Sequence, residues 1–362
     1  MHTYATLAIV QPYLPRYRVP FFAELKSRLS ADYIDVQVVA GRPLGSQAAR
    51  GDDTDADWAT RFEPRQLKFA GRAITLAHTR RHWAHADGVI LPLMGTSLDA
   101  YSAILHKGPR VGLWGHVDSY VARANPLDQA LERWMVRRAD QVFAYTTRGA
   151  NLARRWGAAQ TSVTSVMNTV DTKELETSLR DLECSPSPVR AKPITLGYIG
   201  GLDGTKRISL LAQALMALTM RGTSVKLVVG GQGPDAHLLD ALRTSHDIDI
   251  RGYVSGVDKA KLLQEVDALV CPGRIGLVAV DALVAQKPIL TTDYEFHAPE
   301  ADYLKDGISM FSSPDSAEAY ADLIESQPWR RSIPPADWQY PRIETMVENF
   351  RLGVLRMMNL EA

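Results

Sequence analysis

Hydrophobic positions along the chain alternate between two periods. Residues 34–39 read Ile34-Asp35-Val36-Gln37-Val38-Val39, a period of two that predicts a strand with one buried face. Just before it, Phe21, Phe22, Leu25 and Leu29 fall on one helical face while Lys26 and Arg28 lie elsewhere, which predicts an amphipathic helix. Residues 1–10 end in an apolar run and read as a first strand. This strand, loop, helix, strand order opens a doubly wound α/β domain. Apolar runs at 88–92, 110–114 and 139–147 predict further strands, and residues 129–138 predict a basic amphipathic helix.

The pattern breaks at 182–193, where prolines and serines replace any hydrophobic period. A second series follows: a strand at 194–199, a helix at 208–221, a strand at 225–229 and a short strand at 248–254 around Gly252. Residues 262–270 then run into a strand, loop and apolar helix at 270–288. We therefore expect a first Rossmann-like domain over 1–183, a linker over 184–193 and a second such domain over 194–340. Residues 341–362 read as a C-terminal helix that packs back on the first domain.

Composition narrows the picture. A chain of 362 residues exceeds what one core usually supports, and 46% hydrophobic with 23% charged residues is globular. No apolar run reaches the roughly 18 residues of a membrane-spanning helix, and the start lacks a basic leader, so a cytoplasmic protein is expected. Net charge is zero, but residues 1–182 hold 23 Lys and Arg against 18 Asp and Glu, and the remainder the reverse. A basic first half suits the inner face of an anionic membrane, with peripheral contact through Arg16, Arg18, Phe21, Phe22, Arg133, Trp134 and Arg137. No nucleic-acid partner is expected. Asp52, Asp53, Asp55 and Asp57 have Asp-x-Asp spacing but no strand before them, so they read as a solvated, mobile loop and no metal site is expected.

The candidate chemistry lies in three glycine-bearing loops, each after a predicted strand. They are Gly200-Gly201-Leu202-Asp203-Gly204-Thr205-Lys206-Arg207, Gly230-Gly231-Gln232-Gly233-Pro234 and Gly273-Arg274-Ile275-Gly276-Leu277. Glycines let a backbone turn tightly and approach a ligand, and a helix starting near Leu277 would aim its positive end at an anion. Lys206 and Arg207 would neutralise a departing diphosphate. The order of a P-loop is absent. Asp281 stands alone among Val278, Ala279, Val280, Ala282 and Leu283, and a carboxylate there requires a partner, most simply the hydroxyls of a ribose or sugar. The alternative is that it faces water on a surface stripe. His116, just past the strand ending in Gly115, is placed to exchange hydrogen bonds or protons in a cleft. The loop bearing Arg16, Tyr17 and Arg18 is a candidate acceptor-side loop.

Together these residues resemble a retaining glycosyltransferase of the family 4 type, whose GT-B architecture faces two Rossmann-like domains across a cleft. Gly200-Gly201-Leu202-Asp203-Gly204-Thr205-Lys206 is similar to that family's diphosphate loop, with Gly201 in place of arginine. Gly231 and Gly233 match its second glycine turn, and Gly252-Tyr253-Val254 the segment that packs on the base. Asn168-Thr169-Val170-Asp171-Thr172 resembles the family's Asn-Gly-Val-Asp-Thr, and His116 its sugar-contacting histidine. The usual Glu-x7-Glu is replaced by Gly273 and Asp281. A following His297-Ala298-Pro299-Glu300 is similar to members that assemble polysaccharides.

The resemblance implies transfer of a sugar, with retention and without a metal or other cofactor, from a UDP- or GDP-sugar to a hydroxyl of a glycan or lipid-linked acceptor. It assigns catalysis to His116, Lys206 and Arg207. Donor contacts fall to Gly200, Gly201, Lys206, Arg207, Gly231, Gly233, Tyr253, Val254, Gly273, Arg274, Ile275, Gly276, Leu277 and Asp281, and the acceptor side to Arg16, Tyr17, Arg18 and His116. Two other readings stay open: a non-catalytic nucleotide-sugar-binding partner, and a sugar-nucleotide epimerase on the same fold.

Overall fold

The computed structural model describes residues 4–44, 48, 51–69, 72–76, 78–106, 108–117, 126–183, 194–330 and 338–360. It divides into two compact units, residues 1–171 with 341–362, and residues 172–340. The linker expected at 184–193 lies outside the described residues.

In the first unit β1 (Ala5–Gln11), α1 (Val19–Ala31) and β2 (Ile34–Gly41) open the fold. They are followed by β3 (Ala59–Phe62), the hairpin β4 (Arg65–Phe69) and β5 (Arg72–Leu76), α2 (Arg80–Trp83), β6 (Gly88–Pro92), α3 (Leu98–Leu105) and β7 (Arg110–Gly115). The unit continues through α4 (Pro126–Arg138), β8 (Gln141–Ala144), α5 (Thr147–Arg155) and β9 (Val163–Ser165). Seven strands form a parallel sheet in the order β3-β2-β1-β6-β7-β8-β9. Strands covered on both faces need apolar residues throughout, and β6 and β8 are buried along nearly their whole length. Ser97 and Thr146 cap α3 and α5 by accepting the amides of Ala100 and Gly149.

The second unit begins with α6 (Lys173–Glu183), then β10 (Ile194–Ile199), α7 (Ile208–Met220), β11 (Val225–Gly230), α8 (Ala236–Asp240) and β12 (Asp247–Ile250). It continues with α9 (Gly256–Glu265), β13 (Ala268–Val270), α10 (Val278–Val284), β14 (Ile289–Thr292), β15 (Met310–Ser313) and α11 (Ala317–Ser326). Its six strands are parallel in the order β12-β11-β10-β13-β14-β15. The strand read around Gly252 stops at Ile250, because Gly252 has a φ of 69° and turns the chain.

Helix α12 (Ile343–Met358) then joins the first unit, where Met346, Phe350, Val354 and Met357 are buried. The rings of Phe350 and Phe143 stack with centroids 4.4 Å apart, and Arg351 grips the Asp32 carboxylate with two bonds of 2.5 and 2.6 Å.

The sequence placed residues 172–183 in the first domain; the structure places them in the second. The reason is packing. Leu175, Leu179 and Leu182 fall on one side of α6 and join the core around Val254, Leu262 and Leu283. The composition break at 182–193 therefore falls within the second unit.

Two further expectations change. Phe21 and Phe22, read as membrane contacts, are 1% and 0% exposed and pack on Trp114, and Arg18 is 2% exposed. Arg133 lies over the Trp156 ring, Arg137 donates to the Trp156 carbonyl, and Trp134 packs on Tyr101. Phe21 and Phe22 are core residues, and Trp134 is partly buried against the core. Two of the four aspartates of the acidic run are ion-paired, Asp53 and Asp55 both binding Arg42 and Arg61, while Asp55 and Asp57 stay exposed. Among the described residues no group of three or more His, Cys, Asp and Glu could hold a metal, and no helix is long and apolar enough to cross a membrane.

Candidate functional site

In the second sheet the chain moves from β10 out to β12 on one side and from β13 out to β15 on the other. The carboxyl ends of β10 and β13 therefore flank a topological switch point, where loops diverge and leave a crevice. The loops at 200–207 and 271–277 leave these two strand ends.

The two loops are joined by backbone. The Arg274 amide donates to the Thr205 carbonyl at 3.0 Å, and Lys206 Nζ donates to the Arg274 carbonyl at 2.6 Å. A Cβ built on Gly273 would lie 2.5 Å from the Thr205 carbonyl oxygen and 2.9 Å from Lys206 Cα. No side chain fits there, so Gly273 serves the contact between loops rather than a ligand. A glutamate at this position is sterically excluded in this arrangement. The loop after β11 closes on the first loop in the same way. Leu202 N–H donates to the Gln232 carbonyl, and a Cβ on Gly231 would fall 1.9 Å from the Gly200 carbonyl oxygen. Tyr198, buried beneath, donates its hydroxyl to the Gly201 carbonyl at 2.6 Å.

Three cations meet at these loops. Lys206 and Arg274 are half-buried. Arg207 takes a left-handed φ of 56° before α7, and its guanidinium pairs with Asp315, reaches Thr292 Oγ1 at 3.4 Å and lies over the Tyr294 ring. Asp315 thus shares the charge of Arg207. His297 accepts the Ile275 amide on Nδ1 at 3.2 Å, which requires the neutral ring. Burial, with the charges of Lys206 and Arg274 adding to it, lowers its pKa to about 4.

Beyond the loop, α10 spans 7 residues, so its dipole is that of a two-turn helix. The amides of Gly276 and Leu277 have no partner among the described residues, and a Cβ on Gly276 would meet nothing nearer than 4.0 Å. This face of the loop is open. Asp281, 8% exposed, has its partner in Lys259 of α9, whose Nζ lies 2.7 Å from Oδ1.

The structure therefore gathers Gly200, Gly201, Lys206, Arg207, Gly231, Gly233, Gly273, Arg274, Gly276 and Leu277 around one switch point, and corrects three roles besides that of Gly273. Ile275 is fully buried with its amide and carbonyl both bonded, so it supports the loop and cannot face a ligand. Val254 packs over Gly230 and is 8% exposed, whereas its neighbour Tyr253 is 58% exposed and free to stack. In the first unit Arg18 lies in an aromatic cage formed by Tyr17, Phe21, Trp114 and Tyr145, and donates to Asn168 Oδ1 at 2.5 Å. That burial removes it from the acceptor side. Arg16 and Tyr17 are exposed, and His116 stands past the carboxyl end of β7 with its ring 4.4 Å from that of Tyr145. Lys259, Thr292 and Asp315 carried no local signal in the sequence; only folding brings them to the site.

Comparison with known proteins bears on the second unit and on the fold of both units. Residues 193–326 match the family model described as glycosyl transferases group 1. The 2-deoxystreptamine glucosyltransferase of Streptomyces kanamyceticus is 25% identical over 234 residues, which are 58% of this chain and 60% of that protein. The match thus spans less than two thirds of the relative. Sucrose-phosphate synthase of Thermosynechococcus elongatus superposes with a TM-score of 0.61 at 14% identity, covering 98% of this chain and 94% of that one. HepE of Anabaena, solved with UDP and glucose, gives 0.60 at 12% identity, covering 95% and 97%. At these identities the likeness is one of fold. The match to the group 1 glycosyl transferase model falls within the second unit, and the two parallel-sheet units have the fold of GT-B glycosyltransferases.

Proposed function

We propose that the protein moves a sugar from a UDP- or GDP-sugar to a hydroxyl of a glycan or lipid-linked acceptor, with retention, in the manner of family 4 transferases of cell-surface polysaccharide or glycolipid synthesis. The observation that carries this reading is the meeting of Lys206 and Arg274 at the switch point, beside the open face of Gly276 and Leu277. When the bond between the sugar and the diphosphate breaks, its electron pair goes to a phosphate oxygen, and fixed cations stabilise the charge that develops there. Lys206 supplies that charge directly and Arg207 in part, since Asp315 shares it. The reading therefore routes the charge through side chains and not through a metal.

Asp281 accepts from the ribose hydroxyls, Tyr253 stacks on the base and His116 contacts the transferred sugar on the acceptor side. The glucosyltransferase activity of the Streptomyces kanamyceticus relative and the UDP and glucose bound by HepE support a nucleotide-sugar donor. Purified protein incubated with a panel of UDP- and GDP-sugars, with and without a glycolipid extract, tests the proposal. Release of nucleoside diphosphate that depends on the extract is the expected result. Donor consumed without acceptor would indicate an epimerase, and binding without consumption a non-catalytic partner.

A further inference from the structure

The first unit has its own switch point, between β1 and β6, because the chain leaves β1 towards β2 on one side and continues from β6 towards β7 on the other. At the carboxyl ends of these strands lies a cavity of about 200 Å³. Val10 and Leu91 line it from the strand ends, with Phe62, Leu44, Pro64 and Met94 around them.

Four of its polar residues, Asp99, Ser97, Arg42 and Gln11, are already engaged. Asp99 Oδ2 accepts from the Thr79 amide and hydroxyl at 3.1 and 2.8 Å, and Ser97 Oγ accepts the Ala100 amide that starts α3. Arg42 binds Asp55 at 2.9 Å, and Gln11 Nε2 donates to the Val10 carbonyl at 3.1 Å. What the cavity offers a ligand is therefore mainly apolar surface. An apolar protein cavity of about 150 Å³ is already large enough to hold benzene. Crevices at the carboxyl ends of strands are where open α/β sheets bind ligands.

We propose that this cavity is a binding site for an apolar group of about six carbons, a ring or a short alkyl chain, attached to the acceptor. Naming the acceptor as its carrier rests on the transferase reading; the affinity for the apolar group does not. The site selects acceptors by what is attached to the sugar, because the hydrocarbon gains by leaving water against a mainly apolar wall.

The test compares binding of methyl, hexyl and phenyl β-D-glucoside by ligand-detected NMR, in the parent protein and in two variants that fill the cavity, Met94→Trp and Thr75→Phe, both at lining positions. Hexyl and phenyl glucoside should bind the parent at least tenfold more tightly than methyl glucoside. Each folded variant should lose most of that preference while its calorimetric affinity for UDP stays within twofold of the parent. Equal binding of all three glycosides, or a preference that survives in both variants, overturns the proposal. Failure of the transferase reading appears separately, as no diphosphate released from any donor, because the glycoside measurement contains none.

Discussion

Lys259 Nζ lies 2.7 Å from Asp281 Oδ1, joining α9 to the first turn of α10 with side chains only 20% and 12% exposed. A pair this enclosed is costly to break from one side, because the remaining charge keeps its desolvation without its partner. Lys259→Met should lower stability by about 1–3 kcal/mol. Combined with Asp281→Asn it should cost less than the sum of the two single changes, by about 1 kcal/mol or more. Urea unfolding of the four proteins measures this coupling; strict additivity would show that the contact is not energetically real.

The bond to Lys259 uses Oδ1 of this carboxylate, and the proposed function assigns its other oxygen to the ribose. Asp281→Asn preserves size and shape but exchanges a charged acceptor for a neutral one, so UDP affinity should fall by about 1–3 kcal/mol. The 2′-deoxy analogue should lose less on mutation than UDP does, because both changes remove one contact. An equal deoxy penalty in parent and mutant would remove ribose from the role of Asp281.

Gly273 faces the Thr205–Lys206 backbone at distances no Cβ tolerates. Gly273→Ala should therefore push the two loops apart at a cost of about 1–3 kcal/mol. Gly273→Glu, which installs the carboxylate that a family 4 motif would carry here, should be more destabilising and less active than the parent. Thermal unfolding with and without UDP checks both; a Glu variant that is stable and faster would mean that the loops part readily.

Lys206→Ala should weaken UDP binding by about 1.5–3 kcal/mol, the range of a charge-assisted hydrogen bond. Arg207→Ala should cost less, since Asp315 already shares its charge. Calorimetry that ranks them the other way would move the diphosphate towards Arg207 and Thr292.

His297 is neutral in the fold, with a pKa lowered to about 4 by burial and by neighbouring cations. Its unfolded value is near 6.5, so between these two values the unfolded chain binds more protons. Stability should therefore be fully present above pH 6.5 and decline as pH falls towards 4, by up to about 3 kcal/mol. His297→Gln should flatten that part of the profile. Unfolding midpoints from pH 4 to 7 with unchanged slope in the mutant would assign the loss elsewhere.

The sequence by itself determined the elements and the loops. Apolar runs such as those of β1, β6 and β10 can satisfy only strands covered on both faces, and the spacing of Phe21, Phe22, Leu25 and Leu29 only a one-sided helix. Glycines at 200, 231 and 273 announced close backbone approach, because short-range sterics act within a few residues. Whom those glycines approach was not legible. That Gly273 faces Thr205 and not a ligand, that Asp281 faces Lys259, and that Arg18 lies beneath Trp114 are contacts between residues 22 to 96 positions apart, fixed by how strands are ordered in a sheet. The unit boundary was misread for the same reason: composition marks a polar stretch, but the leucines of α6 decide which core it joins. Periodicity records that a face is buried; only tertiary packing supplies the surface that buries it.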